Sequence, residues 1–145
     1  MKRLGYILTL LAAVCVFSSF TFEKKKPKSD TPITVYMFGF SASFADSTVY
    51  FTDIQAMPNV KLKGKLKFLG NWSEYSYQLK NYLEISKGLH DRTCAIFYSE
   101  SKEDAEKKFI KLRKRYSEQK NLVVRYLTTA DFAFEKVLEI DIPDE

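Results

Sequence analysis

The first twenty-two residues constrain this chain more than any other stretch. They are too apolar to stay in water and too early in the chain to join the core of the domain behind them. Met1-Lys2-Arg3 is basic, and Leu4 to Phe17 (LGYILTLLAAVCVF) is apolar almost throughout. That layout is a secretory signal, assigned here to residues 1–20. Val16 and Ser18 are small enough for the positions three and one before a cleavage after Ser18. Two other readings compete. Ala12-Ala13-Val14-Cys15 offers Cys15 as a lipidation site, although Val14 is bulky for that box. Leu4 to Phe22 also spans 19 residues, just enough to cross a bilayer uncleaved, with Ser18, Ser19 and Thr21 weakening its end. Each reading implies export, to the periplasm or cell envelope, with the N-terminus as a route to membrane attachment.

Residues 21–32 read as a flexible basic tether. Glu23 to Pro32 (EKKKPKSDTP) carries two prolines and too little apolar surface to pack. A solvated spacer and a patch for anionic lipid both fit it. These N-terminal lysines explain the overall charge of +5, since residues 31–145 hold 17 basic and 16 acidic side chains. The near-neutral body gives no reason to expect a nucleic-acid partner. Residues 33–145 suffice for one α+β domain with one core. Once the leader is removed Cys94 stands alone, so no internal disulfide can form.

Ile33 to Ala42 (ITVYMFGFSA) is apolar or small on both alternating sets, the pattern of a strand covered on both faces. Thr48 to Gln55 is a second β-prone run, making a hairpin. Lys61 to Gly70 (KLKGKLKFLG) alternates Lys61, Lys63, Lys65 and Lys67 with Leu62, Gly64, Leu66 and Phe68. Extended, it would place all four lysines on one face about 6.6 Å apart. Such a ladder suits an anionic polymer or lipid headgroup, and equally an edge strand protected by lysine.

Asn71 to Lys87 has helical spacing, with Trp72, Tyr75, Leu79, Tyr82, Leu83 and Ser86 on one stripe. Asn71 or Ser73 can cap its start, and Gly88 suits its end. Arg92 to Tyr98 is a strand apolar on both faces. Ser101 caps a helix carrying Ala105, Phe109, Leu112 and Tyr116, and Asn121 to Leu127 is a further strand. Phe132 to Ile142 is a further extended candidate. The order is β-β-(β)-α-β-α-β. The expected fold is α+β: a single mainly antiparallel sheet of four to five strands with two helices on one face, a ferredoxin-like α/β plait. On such a fold the apolar outer sides of the first and third strands would call for a partner.

No catalytic constellation or cofactor site stands out. His90 adjoins Asp91, but neighbouring side chains in an extended chain point apart, and Cys94 lies about 13 Å further on. The Cys and His ligands are too few for structural zinc. The basic run Lys107 to Arg115 is balanced by Glu103, Glu106 and Glu118 at helical spacing.

Thr93 to Tyr126 resembles the second half of a SPOR (sporulation-related repeat) domain. It has a strand ending in Tyr98-Ser99-Glu100-Ser101, a helix opening EDAEKKFIKL, and then a strand. The likeness covers about a quarter of the chain. SPOR domains are envelope modules that bind peptidoglycan lacking stem peptides on the face of their sheet, so the resemblance implies a glycan-binding module. The first half departs from that family, with a hairpin in place of strand–helix–strand, and no binding residue carries over. The expectation is a non-catalytic envelope protein, binding an envelope polymer or a protein partner or serving as accessory subunit of a complex. Its candidate contact residues are Lys61, Lys63, Lys65, Lys67, Trp72 and Tyr75.

Overall fold

The computed structural model describes residues 31–138. The leader with Cys15, the tether as far as residue 30, and residues 139–145 lie outside the described residues.

The expected first strand forms β1 (Ile33–Ser43), and both of its faces are buried. β2 (Thr48–Thr52) and β3 (Gln55–Val60) return antiparallel to it. β4 (Leu62–Lys63) and β5 (Phe68–Leu69) pair only with each other, apart from the main sheet. β6 (Arg92–Ser99) pairs antiparallel with Tyr36–Ser43 along one edge of β1. The other edge is left to β3, at Val35–Met37, and to β2, at Phe40 and Ser41. β7 (Val123–Leu127) runs parallel to β2 on its far side. The sheet therefore reads β6, β1, β2 with β3, β7, and β1 is its central wall. Asp53 and Ile54 interrupt the return strand as a bulge. There the Gly39 N–H donates to Thr52 Oγ1 at 2.8 Å, so this buried donor keeps a partner where the ladder is interrupted.

α1 (Trp72–Asn81) continues into one π-helical turn over Tyr82–Ser86. Asn71 makes no side-chain cap, but Gly88 takes the left-handed conformation that suits the helix end (φ +66°). α2 (Lys102–Ser117) is capped as expected, with the Asp104 N–H donating to Ser101 Oγ at 3.2 Å.

The α+β class, the mainly antiparallel sheet and the two helices match the expectation. The placing of both helices on one face does not. α1 covers Val35 and Met37, with Tyr75, Leu79, Leu83, Phe132 and Phe134 in the same cluster. α2 covers Phe38, Phe40 and Phe51 from the opposite face through Phe109, Leu112 and Tyr116. Strand order is the reason. The β3–α1–β6 connection crosses β1 in one direction, and the β6–α2–β7 connection crosses β1 and β2 in the other. Both link strands of the same sense, so two right-handed crossovers must use opposite faces. The apolar outer side of β1, which called for a partner, is thus filled by α2. Phe38 sits 5.1 Å edge-on to Phe109 and Phe40 lies 4.6 Å from Tyr116, centroid to centroid.

Phe132 to Leu138 adds no strand. The run is held by side chains instead: Gln55 Nε2 donates to the Phe132 carbonyl and Gln55 Oε1 accepts from the Phe134 N–H. Gln78 clamps Glu135 in the same two-handed way.

Candidate functional site

Lys61 to Gly70 is not one extended ladder, because β4 and β5 fold it into a small hairpin. Gly64 (φ +71°) and Lys67 (φ +53°) are both left-handed, and the Lys67 N–H closes the turn on the Gly64 carbonyl at 3.2 Å. The fold therefore distributes the lysines around a tip rather than along a line. Lys63 is exposed on β4 and its stem lies over Gly70. Lys65 is exposed in the turn, Lys61 is half-buried at the root, and Lys67 Nζ holds Glu100 Oε1 at 2.6 Å.

The apolar members divide in two. Leu62 and Leu69 face the core, while Leu66 is 94% exposed and Phe68 48%. Trp72, at the start of α1, is 46% exposed. Tyr75 is 2% exposed: its ring meets Phe134 edge-on at 6.1 Å and its hydroxyl accepts from the Val137 N–H. Of the six expected contact residues, Tyr75 belongs to the core and the other five lie on or beside the hairpin. Tyr98 anchors that hairpin to the sheet, its hydroxyl accepting from the Leu69 N–H at 3.0 Å and donating to the Lys67 carbonyl at 3.2 Å.

Between the hairpin and β6 lies a cleft of about 380 Å³, lined by Leu62, Leu66, Ile96, Phe97, Tyr98 and Lys108 among others. β6 is an edge strand. Residues of an antiparallel strand alternately turn both backbone groups toward and away from a given neighbour. The Gly39 N–H points to Thr52, so the even-numbered residues of β1 face β6. Through the pairs Phe38 with Phe97 and Phe40 with Ala95, the odd residues of β6 answer them. Cys94, Ile96 and Tyr98 then present their N–H and C=O groups to the free edge. The Tyr98 carbonyl accepts from Lys108 Nζ at 2.8 Å, as that parity requires.

Arg92 was not among the residues the sequence singled out. Its side chain is wholly buried, with Nε donating to Ser41 Oγ at 3.0 Å, Nη1 to Asp46 Oδ2 at 2.6 Å and Nη2 to the Thr48 carbonyl. Its guanidinium stacks on Tyr50 at 4.9 Å. This pins the β1–β2 turn to the start of β6. The available signal was a lone arginine opening an otherwise apolar strand, which needs a buried acceptor set.

His90 is exposed in the loop before β6, and Cys94 lies against Ser41 on the α1 face. Burial pushes the Cys94 thiol up, outweighing the Ser41 hydrogen bond and the Arg92 charge that oppose it. The thiol form is favoured and nucleophilicity suppressed. Among the described residues, no three of His, Cys, Asp and Glu gather as metal ligands, and no helix is long and apolar enough to cross a membrane. No protein-family model, curated protein or solved structure matches the chain.

Proposed function

We propose that the chain is an exported cell-envelope protein that works by binding, with the β4–β5 hairpin as its contact surface. The observation that carries this is the hairpin itself. It places Lys63, Lys65, Leu66 and Phe68 in solvent on a tip fixed to the sheet by Tyr98. Exposed apolar groups ringed by lysine cost solvation in isolation and gain from an anionic partner. The apolar leader, residues 1–20, supports delivery to the envelope. A glycan polymer is the ligand class that the SPOR-like segment Thr93–Tyr126 would imply.

Two measurements test the reading. Mass spectrometry of the mature N-terminus, with cell fractionation, should find a processed or lipidated chain in the envelope; intact Met1 in the cytosol refutes export. Pull-down on isolated envelopes should weaken when Lys61, Lys63, Lys65 and Lys67 become Gln; unchanged capture rejects the hairpin as contact surface.

A second reading, accessory subunit of an envelope complex, is favoured by the free edge of β6. The outward groups of Cys94 and Ile96 can accept an added strand. Gel filtration of envelope extracts would then find the chain in a larger assembly that Ile96→Pro disperses.

A further inference from the structure

Leu66 stands 94% in solvent at the hairpin tip, and Phe68 and Trp72 come next on the same connection into α1. Among the described residues, Lys61, Lys63 and Lys65 make no ion pair, while Lys67 is neutralised by Glu100. The position of this cluster is set by β1, because Ile33 is the Cα partner of Val60. The root of the hairpin and the start of β1 are therefore neighbours at one end of the sheet. The sequence leading into β1 carries Lys24, Lys25, Lys26 and Lys28, preceded by the apolar run from Leu4 to Phe22. The chain therefore enters β1 at the end of the sheet that bears the hairpin.

We infer that the hairpin is an interfacial contact for an anionic lipid bilayer. Leu66, with Phe68 and Trp72, enters the boundary between headgroups and acyl chains, and Lys61, Lys63 and Lys65 meet headgroup phosphates. An aliphatic tip gains by entering hydrocarbon, and a hydrated polymer offers it none. Lysines spread around a turn answer a charged plane better than a linear chain. This rests on the hairpin being the contact surface of an envelope protein, and it narrows the partner to lipid phosphate.

Trp72 is the sole tryptophan, so its fluorescence reports this site whatever the leader does. With the full chain and vesicles containing phosphatidylglycerol, Trp72 emission should shift to the blue and acrylamide quenching should fall. Pure phosphatidylcholine vesicles should give neither change. Each lysine near an anionic surface contributes roughly fivefold to partitioning, so the triple change to Gln at 61, 63 and 65 should lower it on the order of a hundredfold. Leu66→Asp should abolish the blue shift with the far-UV circular dichroism unchanged, because Leu66 is outside the core. Unaltered Trp72 emission and quenching on vesicles that co-sediment with the chain would overturn the inference. So would protection of Trp72 by lipid-free wall polymer but not by vesicles. Either result leaves export itself standing, because the mature N-terminus is measured separately.

Discussion

Asp46→Ala is expected to destabilise the fold by about 2 kcal/mol. The Arg92 side chain has no solvent exposure, whereas Asp46 is 37% exposed. Removing one partner of a fully buried ion pair costs about 3–5 kcal/mol, and an exposed pair is worth about 0–1 kcal/mol. In the variant, Arg92 keeps Ser41 and the Thr48 carbonyl, and water can reach the vacated position from the Asp46 side, so the cost falls between those limits. For a domain of roughly 110 residues that is about 8–10 °C in Tm. Asp46 Oδ1 also accepts from the Thr48 N–H at 2.7 Å. Asp46→Asn retains that bond through its amide oxygen and should lose less. Thermal melts followed by circular dichroism, with and without 1 M salt, read the effect. A pair with one wholly buried partner is screened weakly, so the difference should persist at high salt. Asp104→Ala, which removes an exposed pair with Lys107 (3.3 Å), should leave the melt close to that of the parent. Should Asp46→Ala melt within about 2 °C of the parent, Arg92 is not the clasp of the β1–β2 turn.

Three further outcomes are expected. A Cβ at Gly39 would lie 2.5 Å from Leu79 Cδ2 and 3.3 Å from Phe134 Cζ, so Gly39→Ala should cost about 1–3 kcal/mol in urea unfolding. Leu79→Ala should cost less in that background than alone, and strict additivity would contradict the packing. Tyr98→Phe should speed amide exchange at Leu69 and lower global stability by about 1 kcal/mol; unchanged protection at Leu69 would deny the anchor. The Lys107 hydrogen bond, then that from Ser101, holds the exposed Asp104 carboxyl below its ordinary 3.8. The folded state favours the ionised form. This contribution is therefore present above about pH 4 and lost as pH falls through the lowered pKa. In an NMR titration, Lys107→Met should raise the Asp104 midpoint more than Ser101→Ala does.

Local patterns carried much of the fold. Two apolar faces on Ile33 to Ala42 announced a doubly covered strand, and Ser101 and Gly88 marked helix ends through chemistry acting within one turn. The errors come from local backbone conformation in one place and from long-range strand order in another. KLKGKLK satisfies the period of a strand and of a hairpin alike, and only the left-handed conformations of Gly64 and Lys67 decide between them. Which face α2 takes depends on β6 and β7 occupying opposite edges of the sheet, and no short window contains that order. Tyr75 was legible as a core residue from its helical stripe, yet its nearness to the lysines made it a surface candidate as well. Phe132 to Ile142 reads as an extended run, but over Phe132 to Leu138 side-chain amides, rather than a neighbouring strand, satisfy the backbone, and no local pattern announces such partners.

The central place of β1 also sets a timetable. Phe38 meets Phe97 across 59 intervening steps of chain, and the rings of α2 that seal its outer side come later still. The first strand among the described residues is thus among the last to be finished on both sides. Pairing over such separations is slow, since loop closure must precede the reward. A polypeptide threaded through a translocation channel must stay unfolded until it is through, and here the closing pieces sit in the C-terminal half. Were the chain exported, as proposed above, delay of that kind would keep it transportable without a dedicated device, at the risk of exposing an adhesive strand to its neighbours along the way.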